Sequence, residues 1–223
     1  MIIFENVHKS YRTRTGRKVV LDHLNLVFDT RKNIGILGLN GAGKTTLLRL
    51  ISGIELPDSG HIRRKVNISF PLGYIGCFAG NMSGRENAAF LARVYGFDVS
   101  QVVDFVEAFA ELGEYFDEPF KTYSSGMSSR LGFGVSIALE FDVYLIDEAF
   151  SAGDARFAAR CQDAFHERLQ NSTVIMVSHA TESLLTYCDI GATLHKGKLT
   201  YYDDIKEAIE RYNDIVREPI SAA

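Results

Sequence analysis

The run Gly38-Leu39-Asn40-Gly41-Ala42-Gly43-Lys44-Thr45 has the form G-x-x-x-x-G-K-[ST], and its residue types dictate what it can bind. Glycines let successive backbone N–H groups converge on phosphate oxygens, and a helix starting at the end of the run adds the partial positive charge of its N-terminus. Lys44 supplies an ammonium that reaches the β- and γ-phosphates of a nucleoside triphosphate, and Thr45 a hydroxyl that binds Mg²⁺. A second pair of chemical groups, Asp147 and Glu148, follows the apolar residues Val143 to Ile146. The first stands where a strand end places a carboxylate toward Mg²⁺, and the second can orient, or take a proton from, a water attacking the γ-phosphate. His179 follows Val174 to Val177 and Ser178, so a ring nitrogen there can hydrogen-bond the γ-phosphate or that water. A lone histidine at a strand end is more often structural; only its company with the other motifs makes it a candidate.

These groups need strands and helices to hold them. Ile34 to Leu37 is a short, fully apolar strand, and Thr45 to Ser52 carries Leu47, Leu48 and Ile51 at helical spacing, giving a strand, loop, helix unit around the glycines. Val143 to Ile146 and Val174 to Val177 are continuous apolar runs, as in parallel strands covered on both faces. Ahead of them, Ile2-Ile3-Phe4, Val19-Val20-Leu21 and the alternating Leu24, Leu26 and Phe28 predict an antiparallel β-layer, with Gly16 in a charged connector. Pro57-Asp58-Ser59-Gly60 predicts a turn, and Lys196-Gly197-Lys198 a hairpin. From Ser83 the pattern becomes helical: Ser83-Gly84-Arg85-Glu86 fits a capping box, and further helices are predicted around Val102 to Leu112 and after Gly126. A helix carrying Phe157, Cys161 and Phe165 is predicted between the two apolar strands, and a last amphipathic helix over Ile205 to Val216. The organisation expected is a catalytic core of residues 1–78 and 141–223 with an inserted helical subdomain, 79–140.

Composition narrows the classes. The 223 residues, 46% hydrophobic and 23% charged, suit a globular chain with a substantial core. A net charge of -4 argues against nucleic-acid binding through a bulk positive field, so no nucleic-acid partner is expected. The longest uncharged stretch, Val66 to Gly84, holds Pro71 and several glycines and does not suit a spanning helix; no secretory leader is expected at the N-terminus. Cys77, Cys161 and Cys188 are scattered without zinc-like spacing and are read as reduced packing residues.

A second glycine-containing motif, Tyr123-Ser124-Ser125-Gly126-Met127, precedes the carboxylate strand. With it the sequence resembles the nucleotide-binding subunits of ABC transporters, the motif being a variant of their LSGGQ signature in which only Ser124 and Gly126 match strictly. The resemblance implies an α/β P-loop NTPase of ABC-ATPase type with an antiparallel β-subdomain and an inserted α-helical subdomain. It implies a MgATP-hydrolysing homodimer in which each ATP lies between the P-loop of one chain and the signature (Ser124, Ser125, Gly126) of the other. Tyr11 would stack on adenine, Thr46 would join the phosphate contacts, and Asp154 in Ser151-Ala152-Gly153-Asp154 would be the D-loop acid. Lys44, Glu148 and His179 would be the catalytic set, with Thr45 and Asp147 at the metal.

A narrower resemblance, to ATPase subunits of bacterial capsular-polysaccharide exporters of the ABC-2 type, is carried by Lys9 to Thr13, Ser83 to Asn87, Phe109 to Gly113, Tyr123 to Met127, Arg130 to Gly134 and Gly153 to Phe157. It implies a peripheral protein on the cytoplasmic face of the inner membrane, partnered by an integral-membrane permease and a polysaccharide copolymerase-type periplasmic adaptor. The absence of a carbohydrate-binding extension after Val216 is expected of the capsule type rather than of O-antigen or teichoic acid exporters. An ABC-2 exporter of other cargo, or a soluble ABC ATPase outside transport, are the alternatives. One position departs from the family: Ala79 stands where a glutamine would contact Mg²⁺, and no glutamine occurs between Thr46 and Ser100. Alanine can neither coordinate metal nor bond the attacking water, so slower hydrolysis or looser coupling is expected. The neighbouring apolar run, Phe70 to Phe78, is either an exposed groove for a cytoplasmic helix of a membrane partner or interior packing.

Overall fold

The computed structural model describes residues 1–14, 16–147 and 155–217, and these divide into two compact units. The first begins with two long strands, β1 (Ile2–Thr13) and β2 (Gly16–Phe28). They pair antiparallel, and β4 (Ser59–Arg64) joins the free edge of β1 to complete a three-stranded sheet of order β2-β1-β4. The separate strand pieces expected from the sequence are thus continuous. Three register shifts interrupt the β1–β2 ladder and break the alternation that marks a strand in sequence.

The second sheet of this unit contains β3 (Ile34–Leu37), β5 (Ile68–Pro71), β6 (Val143–Asp147), β7 (Thr173–Val177), β8 (Ile190–His195) and β9 (Lys198–Tyr202), in the order β5-β6-β7-β3-β8-β9. All neighbours are parallel except β8 and β9, which form the expected hairpin. Strands β3, β5 and β6 are buried almost throughout, as parallel strands covered on two faces must be. Helix α1 (Lys44–Ser52) buries Leu47, Leu48, Leu50 and Ile51, and one apolar cluster runs from Phe4 and Phe28 through these residues to Val143, Ile175 and Leu194. Helices α6 (Thr181–Tyr187) and α7 (Ile205–Arg217) belong to the same unit. Helix α7 lies so close to β8 that a Cβ on Gly191 would stand 2.3 Å from that of Ala208, a contact distance only glycine permits.

The second unit holds α2 (Gly84–Tyr95), α3 (Val99–Ala110), α4 (Ser125–Ala138) and α5 (Ala155–Leu169). The capping box at α2 forms as its sequence requires: the Ser83 side chain accepts from the Glu86 N–H while the Glu86 carboxylate accepts from the Ser83 N–H at 2.8 Å. Asp98 and Ser124 cap α3 and α4 by the one-way bond alone, their side chains accepting from the Gln101 and Met127 N–H groups. Within its own unit α5 packs through Phe157 on Phe109, the rings 5.6 Å apart, with the Arg130 guanidinium 4.6 Å over Phe157. By its contacts α5 therefore groups with the helices, although it follows the carboxylate strand in sequence. Burial pushes the thiols of Cys161 and Cys188 up to about 12, and that of Cys77 to about 11. They are free and inert, as their scatter suggests. Among the described residues no helix is long and apolar enough to cross a membrane.

Candidate functional site

The glycine-rich loop runs from the C-terminal end of β3 to the first residue of α1. Gly43, immediately before α1, has φ 108°, and a Cβ there would stand 2.0 Å from Val20 Cγ1. Two independent constraints thus exclude any side chain, and the backbone can turn its N–H groups inward. Gly41 is also left-handed, with φ 75°. Lys44 is buried, yet its ammonium is not stranded: Nζ donates to the Gly38 carbonyl at 2.7 Å and, more weakly, to that of Leu39 at 3.4 Å. The loop is folded around its own cation.

A cavity of about 580 Å³ opens over this loop. It is lined by Asn40, Gly41, Gly43, Lys44, Thr45 and Thr46 of the loop and the start of α1, by Asp147 at the end of β6, and by Tyr11, Lys18 and Val20 of the antiparallel sheet. Asp147 is the last residue of β6 and pairs in register with Val177, the last of β7. The cavity thus lies beyond the carboxyl ends of the parallel strands, where open α/β sheets place their ligands. His179 is exposed, two residues past the end of β7, the strand between β6 and β3. Glu148 and Asp154 lie outside the described residues.

Tyr11 is 37% exposed, and its hydroxyl donates to Glu55 Oε1 at 2.5 Å. Lys9 Nζ contacts the same oxygen at 2.9 Å and lies 5.4 Å from the Tyr11 ring centroid. Burial favours the neutral form of Glu55, but the hydrogen bonds from Tyr11 and Lys9 outweigh it and hold the carboxyl below the usual range. Burial together with the bond to Glu55 raises the Tyr11 phenol. The ring is therefore anchored at its oxygen while its face stays available to a flat apolar group.

The sequence-predicted residues Tyr11, Asn40, Gly41, Gly43, Lys44, Thr45, Thr46 and Asp147 are brought to one cavity, with Gly38 and Ala42 in the same loop. Ser124, Ser125 and Gly126 form the start of α4 in the other unit, where the Ser124 hydroxyl accepts from the Met127 N–H at 3.2 Å. Ala79, also in that unit, is exposed, and its backbone is gripped by the buried Asn87 side chain. The apolar run that precedes it divides. Phe70 and Pro71 are buried in β5, while Ile75 is 44% exposed. Lys18 was not legible as a site residue: it is brought in by the pairing of β2 with β1, directly opposite Tyr11, and its Nζ lies 3.2 Å from where a Cβ on Gly41 would be.

A buried ammonium, glycine-cleared N–H groups, a helix N-terminus, a hydroxyl and a carboxylate in one cavity suit a nucleoside triphosphate with a divalent metal. The family described as ABC transporter matches residues 21–151. The chain is 51% identical to the polysialic acid transport ATP-binding protein KpsT of Escherichia coli, over 95% of this chain and 98% of that one. It is 45% identical to the capsule polysaccharide export ATP-binding protein CtrD of Neisseria meningitidis serogroup B, over 96% of this chain and all of the relative. In fold it matches the dimeric, ADP- and Pi-bound post-hydrolysis state of the ATP-binding cassette MJ0796, with a TM-score of 0.70 at 18% identity over 90% of this chain and 98% of that one. This chain belongs to the ABC transporter family, on its ATP-binding and ATP-hydrolysing side.

Proposed function

We propose that this chain powers the export of capsular polysaccharide, working as a homodimer against an integral-membrane permease on the cytoplasmic face of the inner membrane. One observation carries the reading: the relatives named for polysialic acid and capsule polysaccharide match at 45–51% identity over 95–96% of the chain, around the phosphate-loop cavity. A periplasmic adaptor of polysaccharide copolymerase type belongs to the same proposal.

In this reading Lys44 and the loop N–H groups bind the β- and γ-phosphates, where they act without reorganising because the fold already fixes them. Thr45 and Asp147 have the hydroxyl and carboxylate chemistry to hold Mg²⁺, which supplies charge neutralisation on the phosphoryl oxygens. Tyr11 offers its ring face to adenine. Glu148 takes the proton of the attacking water, and His179 hydrogen-bonds the γ-phosphate. The start of α4 at Ser124 to Gly126 presents a second anion-binding helix terminus, suited to the phosphates of ATP held by another copy, and Asp154 serves the same junction.

The test has two arms. The tagged chain is purified from detergent-solubilised membranes of its host and everything retained is identified by mass spectrometry. In parallel, cells whose single copy is Lys44→Ala are assayed for surface polysaccharide. Co-purification of a multi-spanning permease with loss of the capsule is expected. Retention of soluble partners alone overturns the transport reading, and an intact capsule with the permease retained overturns the assigned cargo.

A further inference from the structure

The ribbon of β1 and β2 contains a defect with chemistry in it. Val7 pairs with Leu24 and Lys9 with Leu21, so His8 alone faces two residues, Asp22 and His23. Consecutive residues of a regular strand point to opposite faces; an extra residue breaks that rule and re-aims its side chain. His23 absorbs the change with φ 47°, a left-handed conformation in which histidine is enriched relative to most residues. The result is that His8, Asp22 and His23 each offer a nitrogen or carboxylate oxygen, all within 4.8 Å of one another. Their spacing in sequence gives no hint of this.

Two further observations point to a ligand. His8 Nδ1 is shielded from water and has no hydrogen-bond partner. The nearest carboxylate oxygen, Asp22 Oδ1, is 3.8 Å away, too far for a hydrogen bond but close to the separation of roughly 3.4 Å between two ligands of one tetrahedral ion. His23 Nδ1, for its part, lies 2.9 Å from Asn6 Oδ1. An amide oxygen there fixes the proton on Nδ1 and leaves the lone pair on Nε2, the arrangement that orients metal-bound imidazoles. The rest of the frame is fixed too. The Asp22 N–H donates to the Gly197 carbonyl at 2.9 Å, and the Asn25 amide donates to the His23 carbonyl at 3.0 Å.

We propose that His8, Asp22 and His23 form a binding site for a divalent first-row transition ion, with zinc the ion it fits best and a fourth position open to water. Two imidazoles and one carboxylate are the ligand set of Zn²⁺ rather than of Mg²⁺, which prefers oxygen throughout. The site is separate from the phosphate cavity and stands whether or not the transport reading holds. It bears on that cavity all the same, because a bound ion cross-links the two strands from which Tyr11, Lys18 and Val20 reach the cavity wall.

The test uses the full chain, stripped with a chelator and titrated with ZnCl₂ against a zinc-indicator dye, with Co²⁺ as a spectroscopic substitute. Binding of one zinc per chain is expected, together with the visible absorption of tetrahedral Co²⁺. Affinity should fall roughly tenfold or more in both His8→Gln and His23→Asn; asparagine is chosen because it also tolerates a positive φ. Asp22→Asn, at a side chain half exposed, provides a third variant whose folding is not at risk. Absence of zinc binding overturns the proposal, as does binding that all three variants leave unchanged.

Discussion

Asn87, 1% exposed at the start of α2, holds the loop that contains Ala79, and its removal has a calculable cost. Its side-chain oxygen accepts from the Ala79 N–H at 2.8 Å. Its amide nitrogen lies within bonding distance of the carbonyls of Ala79, Met82 and Ser83, at 3.1, 3.2 and 2.9 Å, and two hydrogens must serve those three. Each of these carbonyls has another donor: the Met82, Phe120 and Asn87 N–H groups respectively. Asn87→Ala therefore orphans the Ala79 N–H and forfeits two donated bonds. At about 1–3 kcal/mol for the orphan and about 1 kcal/mol for each of the two lost bonds, destabilisation of about 3–5 kcal/mol is expected. Asn87→Asp is the sharper perturbation. It keeps the acceptor for Ala79 but turns a carboxylate toward three carbonyl oxygens, so at neutral pH it should be less stable than Asn87→Ala despite its closer shape. Its carboxyl is favoured in the protonated form on folding, so the deficit relative to the parent should grow as pH rises through the ordinary carboxylate range and shrink below it. Urea midpoints at several pH values measure this. An Asn87→Asp variant more stable than Asn87→Ala at pH 7.5, or a cost below about 1 kcal/mol for the alanine, would refute the reasoning.

Lys18→Ala should raise the KM for ATP severalfold with little change in kcat, measured by steady-state phosphate release, because the ammonium lines the cavity beside Gly41, where it adds binding charge that the ground state and the transition state share. Asp58 is held below the usual carboxylate range, first by the Ser10 hydroxyl and then by the Ser10 N–H and Lys9. Its contribution is therefore present above the ordinary carboxylate pKa and lost as pH falls through the depressed value, and thermal melts of Asp58→Asn should lose that segment of the acid profile. Ala79→Gln should speed ATP turnover in the assembled transporter if the missing side chain is what slows it; an unchanged coupled rate counts against that reading.

The phosphate loop, its flanking strand and helix and the Asp147 strand were legible because each is encoded locally, by a motif or an unbroken apolar run. So was the capping box at Ser83. The β-layer was legible in kind but not in extent, since the bulges around Asn6, His8 and Val20 scramble the period-two pattern. Strand β4 is mostly exposed and reads as polar, and β5 is four residues long and ends in Pro71. Neither gives a periodic signal, and each is recruited by a neighbour far away in sequence. The same limit hid Lys18 and the His8, Asp22 and His23 cluster. Their relation is set by pairing between strands, which single residues do not announce.

Strand β3 pairs on one side with β7 and on the other with β8, and, among the described residues, with no strand earlier in the chain. During synthesis the phosphate loop therefore leaves the ribosome attached to a strand with both edges bare, and stays so until residues beyond 173 have followed. The central strand of the sheet is thus among the last to find partners, and the long-range closure that completes it is slow by nature. In the interval an apolar strand of Ile34 to Leu37 is open to pairing with other nascent chains. Yield in the cell should consequently depend on how fast the final fifty or so residues are made and captured, and a stall codon placed after α5 should aggregate the product where one placed after α7 does not.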